Sequence, residues 1–312
     1  MALTLRNIRK WYRMLIGTSI QHVHQGLGTL LDPQELLGYY NDLTEKVIKA
    51  PELLSTEELP RYGGTEVYFP VDIFQYGLGA YDLYLQTKEQ KYLTKVLLCA
   101  EWALANQLPS GAWDNFSFLY PEAPYGAMAQ GEGASLLLRV FKETQQERFL
   151  IAAHSAIDFM LLPLEDGGTT RYDHRGVIFM EYTHRPVVMN GWIFAWWGLY
   201  DYVLVSQDNG RYQEILYLSC QTLEKELHHF ARSFWSMYDE GGRIASPFYH
   251  RLHIAQMQAM YQLTQHTVFS DYAQRWTDND KNLIFKMSAF CIKAWQKIIE
   301  KEHHEPTKEK NR

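Results

Sequence analysis

Apolar residues recur at helical spacing along most of the chain, and this periodicity is the main structural signal in the sequence. Apolar positions three and four residues apart predict a helix, because residues at that spacing share one helical face. Turns rich in glycine and proline, such as 108–111, separate the helices into pairs. The pattern predicts an all-α fold, an (α/α) toroid or incomplete barrel of helical hairpins. The predicted helices cover residues 71–87, 89–107, 127–144, 147–162, 188–206, 211–232, 250–266 and 281–301.

The helical period lapses between residues 168 and 182. Residues 169–172 and 177–180 are rich in β-branched and aromatic side chains and flank the turn sequence His174-Arg175-Gly176. This arrangement predicts a small β-hairpin. Such an excursion from a helical scaffold often carries functional residues.

The two ends differ from the middle of the chain. Residues 1–60 predict a helical extension that packs on a main domain over 61–300, and 301–312 predict a disordered tail. The extension starts as a basic amphipathic segment, for which contact with lipid is the alternative to packing. Its basic residues are Arg6, Arg9, Lys10 and Arg13, and its apolar ones include Trp11, Leu15 and Ile16.

Composition and charge exclude several classes of protein. No apolar run approaches the length of a membrane-spanning helix, and the N-terminus lacks the features of a signal peptide, so we expect a cytoplasmic protein, with peripheral contact to the inner face of the membrane left open. The net charge of −6 argues against a nucleic-acid partner. Cys99, Cys220 and Cys291 lie far apart in helical patterns, which predicts buried thiols and neither a disulfide nor a zinc site.

Polar and aromatic residues are concentrated in four segments, 68–79, 111–133, 168–191 and 238–258, at predicted helix ends and loops. This concentration predicts a site. The chain contains no phosphate-binding glycine loop, no His-Glu-x-x-His helix and no Gly-x-Ser-x-Gly elbow. These local patterns therefore do not name a reaction.

Motifs in and next to these segments, in this order, resemble the C-terminal helical domain of the D-glucuronyl (heparosan) C5-epimerases, in a short bacterial-type form. Together they span about 190 residues, and their combination is specific although no single one is. The motifs are Tyr68–Leu78, Ala127–Glu132, Glu181-Tyr182, Val188–Trp192, Gly198–Asp201 and Phe248–Gln258.

The resemblance implies an (α/α) toroid that converts D-glucuronate to L-iduronate within an acidic polysaccharide, with no cofactor. Removal of the C5 proton creates negative charge shared with the neighbouring carboxylate, and inversion needs a proton donor on the opposite face. By position, Tyr249 matches a catalytic tyrosine of the family, and Glu181 with Tyr182 matches a pair in its acid–base machinery. A homodimer is left open.

A second tyrosine of the family, about eighteen residues before the first, has no counterpart, because the stretch 238–247 is shortened. One proton-transfer role must then fall to another group, for which Tyr182, Tyr238 and His250 are the candidates.

Further residues are candidates for holding the sugar. Guanidinium groups suit carboxylates, amides and phenols suit hydroxyls, and an aromatic ring on a loop suits stacking. His250 and His253 share one helical face, but no third ligand follows at zinc-like spacing, so carboxylate contact or packing is preferred to metal binding. The other candidates are Arg171, Arg185, Arg243, Arg251, Gln75, Tyr76, Gln130, Asn190 and Trp113.

Two other functions fit the same residues. A polysaccharide lyase begins with the same proton abstraction but then expels the substituent at O4, which shortens the chain. A glycan-binding or assembly protein would keep the cleft without catalysis, an alternative that the missing tyrosine motivates.

Overall fold

The computed structural model describes residues 23–206 and 210–302, and long helices arranged as consecutive hairpins form most of that part. The predicted all-α toroid of helical hairpins is confirmed. Its helices are α1 (Thr44–Ile48), α2 (Pro70–Thr87), α3 (Gln90–Asn106), α4 (Ala127–Thr144), α5 (Glu147–Leu161), α6 (Met189–Val205), α7 (Gly210–Glu226), α8 (Pro247–Thr264), α9 (Thr267–Lys281) and α10 (Leu283–Glu302). Short 3₁₀ helices cover Pro51–Ser55, Tyr62–Gly64, Leu164–Asp166 and Leu227–Phe230.

Helices α2, α4, α6 and α8 form the inner layer and are buried over most of their length, whereas α3, α5, α7 and α9 bury one face against them. Glycine lets two inner helices touch. A Cβ on Gly131 would lie 2.6 Å from the Cα of Ala195, and one on Gly198 would lie 2.3 Å from the Cα of Gly131. Backbone therefore packs on backbone where α4 meets α6.

Three of the hairpins turn in the same way. In these three hairpins the inner helix ends in a threonine, the next residue has the left-handed conformation, and the residue after it is the N-cap of the outer helix. The turns cover residues 87–89, 144–146 and 264–266. In each turn the threonine Oγ accepts a hydrogen bond of 3.2–3.3 Å from the backbone N–H two residues later. The left-handed residues are Lys88, Gln145 and Gln265, with φ of 59°, 57° and 61°.

The predicted β-hairpin is also confirmed. Strands β1 (Thr170–Asp173) and β2 (Gly176–Phe179) are antiparallel, with Thr170 opposite Phe179. The backbone N–H of Ala127 donates to the carbonyl of Met180, which joins the end of β2 to the start of α4. This contact fixes the position of residues 181 and 182, which directly follow Met180.

A buried ion pair links the inner layer to residues 36–40. Arg139 on α4 and Asp201 on α6 are 1% and 0% exposed, and a guanidinium nitrogen lies 2.6 Å from the carboxylate. Arg139 also donates to the carbonyls of Leu37 and Gly38, while the Tyr40 hydroxyl donates to Asp201 at 2.6 Å. Because every partner is satisfied inside the core, the pair holds the segment before α1 against the toroid.

One long helix, α9, is missing from the predicted helical ranges. Helix α9 is rich in Thr, Asp, Asn and Gln, which favour caps and turns over helix interiors. Its buried residues Phe269, Ala273 and Trp276 nevertheless fall four and three positions apart. This stripe packs on α8 and stabilises the helix in spite of its composition.

The amphipathic start predicted within 1–22 and residues 303–312 of the predicted tail lie outside the described residues. Among the helices of 23–206 and 210–302, none combines the length and the apolar character needed to span a bilayer.

Candidate active site

The first turns of all four inner helices open onto one cavity of about 700 Å³. Helix N-termini present unpaired N–H groups and the positive end of the helix dipole, so their convergence favours a negatively charged ligand. The polar lining comprises Gln25, Lys46, Lys49, Arg61, Tyr62, Asp72, Gln75, Tyr76, Asn115, Glu181, Tyr182, Asn190 and Tyr249.

Glu181 follows β2 and is wedged between two glycines. A Cβ on Gly126 would lie 2.2 Å from the Glu181 carbonyl oxygen, and a Cβ on Gly191 would lie 2.3 Å from its carboxylate Oε2. Only glycine fits at these two positions, which lie at the starts of α4 and α6. The carboxylate is thus held at the head of α6, with Oε2 buried and without a hydrogen-bond partner among the described residues.

Burial raises the pKa of Glu181 to about 7, although a hydrogen bond from Tyr182 and the charge of Arg243 both oppose the rise. Burial and the neighbouring Glu181 raise the pKa of Tyr182, so this phenol is protonated near neutral pH. The Tyr182 ring stacks on Phe116 at a centroid distance of 4.6 Å. The pair therefore joins a carboxyl that titrates near neutrality to a fixed phenol.

Tyr249 lies in the first turn of α8, where the Ser246 hydroxyl caps the helix by accepting from the Tyr249 N–H at 3.4 Å. Its ring contacts that of Tyr238 at 4.8 Å in an edge-to-face arrangement. Burial and Glu181 raise the pKa of Tyr249, and a hydrogen bond from Tyr238 opposes the rise. The structure therefore brings together the three predicted catalytic residues and adds Tyr238 behind them.

Amides form part of the wall between these groups. Gln75 on α2 donates to Glu132 on α4 at 2.8 Å, and Glu132 is fully buried, which raises its pKa. The side-chain oxygens of Asn115 and Asn190 are buried without a hydrogen-bond partner among the described residues. Both asparagines line the cavity, so these oxygens are available to donors of a ligand.

Three cations that line the cavity come from the segment before α2. The sequence predicted no site residues in this segment. Lys46 lies 3.9 Å from Asp72, Lys49 pairs with Glu45 at 2.7 Å, and Arg61 pairs with Glu58 and Glu66. The only sequence signal for them was basic residues in a connection rich in glutamate and proline.

The two histidines of α8 do not line the cavity. His250 accepts from the Ser236 backbone N–H and lies 3.1 Å from the carbonyl of Trp276, while its ring stacks on Trp235. The Nδ1 of His253 lies 2.9 Å from the Ser236 hydroxyl. Burial lowers the pKa of His250 to about 3 and that of His253 well below its usual value. Both are neutral and join α8 to the preceding loop.

Other predicted ligands also lie away from the cavity lining. Trp113 is fully buried and donates its indole N–H to the carbonyl of Ala103, so its ring is not accessible for stacking on a sugar. The Gln130 side-chain oxygen accepts a hydrogen bond from the Trp113 backbone N–H. Arg171 on β1 and Arg251 on α8 are partly exposed outside the lining. Within the lining, Tyr76 donates to the carbonyl of Ala50.

The remaining two arginines lie behind the tyrosines. The Arg185 guanidinium carbon is 5.4 Å from the Tyr182 ring centroid and 4.3 Å from that of Tyr120. Arg243 pairs with Asp239 and lies 5.3 Å from the Tyr238 centroid. Both cations therefore lie over aromatic rings beside the site, and the charge of Arg243 also acts directly on Glu181.

Comparisons with known proteins identify relatives of the chain. The chain is 25% identical over 205 residues to the D-glucuronyl C5-epimerase of Caenorhabditis elegans, covering 57% of this chain and 33% of that protein. It is 28% identical over 162 residues to an uncharacterised protein of Methanocaldococcus jannaschii, covering 49% of this chain and 51% of that protein. The chain thus spans a third to a half of the length of these relatives.

Solved structures share the fold at low identity. A sugar epimerase from a ruminal bacterium has a TM-score of 0.53 at 12% identity, covering 88% of this chain and 86% of that one. Cellobiose 2-epimerase from Spirochaeta thermophila has a TM-score of 0.51 at 12% identity, covering 88% and 84%. The family described as D-glucuronyl C5-epimerase C-terminus matches residues 111–278, more than half of the chain. The chain therefore belongs to the D-glucuronyl C5-epimerase C-terminus family.

Proposed function

We propose that the chain is an epimerase that inverts C5 of D-glucuronate residues in an acidic polysaccharide, giving L-iduronate without a redox cofactor. The observation that carries this proposal is the meeting of Glu181, Tyr182 and Tyr249 in one cavity. Family membership supports the sugar chemistry, and the cavity supports the choice of groups.

The proton path follows from the titration of these groups. The phenols are protonated near neutral pH, so the resting base is the Glu181 carboxylate, which accepts the hydrogen bond of Tyr182. In the first step the Tyr182 oxygen takes the C5 proton while its own proton passes to Glu181. In the second step Tyr249 donates a proton to the opposite face of C5. Solvent then reprotonates Tyr249 and takes the proton from Glu181, which restores the resting state. Two phenols from different elements give the two faces that inversion requires.

The negative charge that develops on the substrate carboxylate is offset by the positive helix ends and by Lys46, Lys49 and Arg61. Asn115 and Asn190 accept hydrogen bonds from sugar hydroxyls through their unpaired oxygens. In this proposal the base, the acid and the carboxylate-binding groups come from different elements: residues 181 and 182 after β2, Tyr249 on α8, and the cations before α2.

The role left open by the shortened stretch 238–247 is assigned to Tyr182, with Tyr238 as a positioning residue for Tyr249. Tyr238 contacts the Tyr249 ring and lies under the charges of Arg243 and Lys293, which favour hydrogen-bond donation by its phenol. His250 is disfavoured because Ser236 and Trp276 occupy both of its ring nitrogens.

The test is incubation with heparosan in deuterated water, followed by NMR of C5 and of chain length. Deuterium at C5 with iduronate signals and intact chains supports the proposal. Unsaturated chain ends would assign a lyase, and binding of uronans without exchange would assign a glycan-binding protein.

Variants connect the activity to the cavity. Tyr249→Phe and Glu181→Gln are expected to lose exchange while keeping their helical content, as measured by circular dichroism. Tyr261→Phe is the matched control, because Tyr261 is an exposed tyrosine on the same helix outside the cavity lining. Full exchange in Tyr249→Phe would contradict the assignment. The predicted domain boundaries, homodimer and cytoplasmic location stay predictions.

A further inference from the structure

A second group of reactive side chains lies outside the cavity, between the third and fourth hairpins. Cys220 and Glu224 occupy one face of α7 because they are four residues apart, and His266 caps the start of α9. The Cys220 sulfur lies 3.5 Å from a Glu224 oxygen, and the same oxygen contacts the His266 Nδ1. The three donor atoms all lie within 4.8 Å of one another.

These three side chains differ from an ordinary surface ion pair. A Glu–His pair alone would account for Glu224 and His266, but it would not account for a thiol directed at the same carboxylate oxygen. The thiol is nearly inaccessible, with Cys220 only 3% exposed, whereas His266 and Glu224 face outward. The buried sulfur therefore lies behind an imidazole and a carboxylate that are both partly exposed to solvent.

We propose that Cys220, Glu224 and His266 form a zinc site with one coordination position open to solvent. Thiolate, imidazole and carboxylate are the three donor types that Zn²⁺ takes in proteins, with bonds of about 2.0–2.3 Å. Tetrahedral bonds of that length place the donors about 3.3–3.8 Å apart, so side-chain shifts of about 1 Å complete the site. On binding, the Cys220 thiol releases one proton to solvent and its sulfur forms the bond to zinc.

The geometry explains why the sequence does not reveal this site. The ligands are separated by four and by forty-two positions, which matches no zinc-binding motif. They meet only because the turn after α8, with Gln265 in the left-handed conformation, directs His266 back toward α7. The metal would therefore bridge two neighbouring hairpins of the toroid. Because none of its ligands lines the cavity, its effect is measured by binding and not by epimerase activity.

Metal binding is tested on the purified chain after treatment with a chelator. Titration with Co²⁺ is expected to give a thiolate-to-cobalt charge-transfer band and visible bands of tetrahedral intensity, both lost when one equivalent of Zn²⁺ is added. Zn²⁺ is expected to raise the melting temperature and to release a proton from the thiol.

Matched variants identify the ligands. Cys220→Ser is expected to lose the charge-transfer band, and His266→Gln is expected to lose stoichiometric binding. Cys291→Ser, at an exposed cysteine on α10, is expected to retain both. If Cys220→Ser folds poorly, His266→Gln decides, because that side chain is 41% exposed. The proposal is overturned if the wild type binds no stoichiometric Zn²⁺, or if the charge-transfer band depends on Cys291.

Discussion

Replacing Gly191 with alanine perturbs the proposed base without changing any ionisable group. The added Cβ would lie 2.3 Å from the Glu181 Oε2 and 2.5 Å from the Glu181 Cβ. Ordinary contact between such atoms requires about 3.4 Å, so the carboxylate must move by about 1 Å. Rotation of the side chain alone does not relieve the clash, because the Glu181 Cβ is itself too close.

The expected cost divides between activity and stability. Displacement of a catalytic group by about 1 Å lowers the rate by about 100-fold, or about 2.7 kcal/mol of transition-state stabilisation. Overpacking at a buried site lowers the free energy of unfolding by about 1–3 kcal/mol. Gly191→Ala is therefore expected to remain folded at 25 °C while losing most of its C5 exchange.

The assay is the initial rate of deuterium incorporation at C5, with unfolding followed by circular dichroism in urea. Gly210→Ala is the control, because a Cβ there meets nothing within 4 Å. In the Glu181→Gln background, Gly191→Ala should cost little further activity, since both changes act on one group. Wild-type exchange in Gly191→Ala, or additive losses in the double variant, would refute this reasoning.

Of four further predictions, two concern pH, one the core and one the cavity charge. In kcat/KM measurements, exchange should rise as pH increases through about 7, where Glu181 ionises, and Glu181→Gln should abolish this rise. The pKa of Glu181 is higher in the folded state than its unfolded value of about 4.5, so protonation of Glu181 stabilises the fold fully below pH 4.5. This stabilisation is lost as the pH rises to about 7. The urea midpoint of Glu181→Gln should not show this decrease between pH 4.5 and 7. Asp201→Asn leaves Arg139 buried without a counter-charge and should lower the free energy of unfolding by about 3–5 kcal/mol in urea titrations. Lys46→Ala should raise the KM for heparosan and weaken its salt dependence, whereas Lys91→Ala, outside the cavity, should not.

The helical hairpins could be predicted because their apolar periodicity is long and regular. Helix α9 could not, because its polar composition masks a stripe of only a few buried residues, Phe269, Ala273 and Trp276. This stripe stabilises α9 only when α8 packs against it. The local sequence predicts a helix from its periodicity, but it does not identify the helix against which that periodic face packs.

The site divides in a similar way. Motifs predicted Glu181, Tyr182 and Tyr249 as site residues, and all three line one cavity. The histidines were misleading, since side chains three apart on a helix face point into the core as readily as into a cleft, and here Ser236 meets both. Lys46 and Arg61 could not be predicted as site residues, because they reach the cavity from a segment of short helices and loops whose position depends on tertiary contacts.

The threonine turns at residues 87–89, 144–146 and 264–266 give the toroid a modular character. Their common geometry means that these three turns are interchangeable, whereas the connections at the cavity end, 107–126, 162–188 and 227–246, differ in content, and the middle one is the longest. A segment exchanged between the first two of these turns would carry α3, the cavity loop 107–126 and α4 together. Duplication followed by loop divergence could therefore alter the substrate of such a toroid without redesigning the frame that holds it.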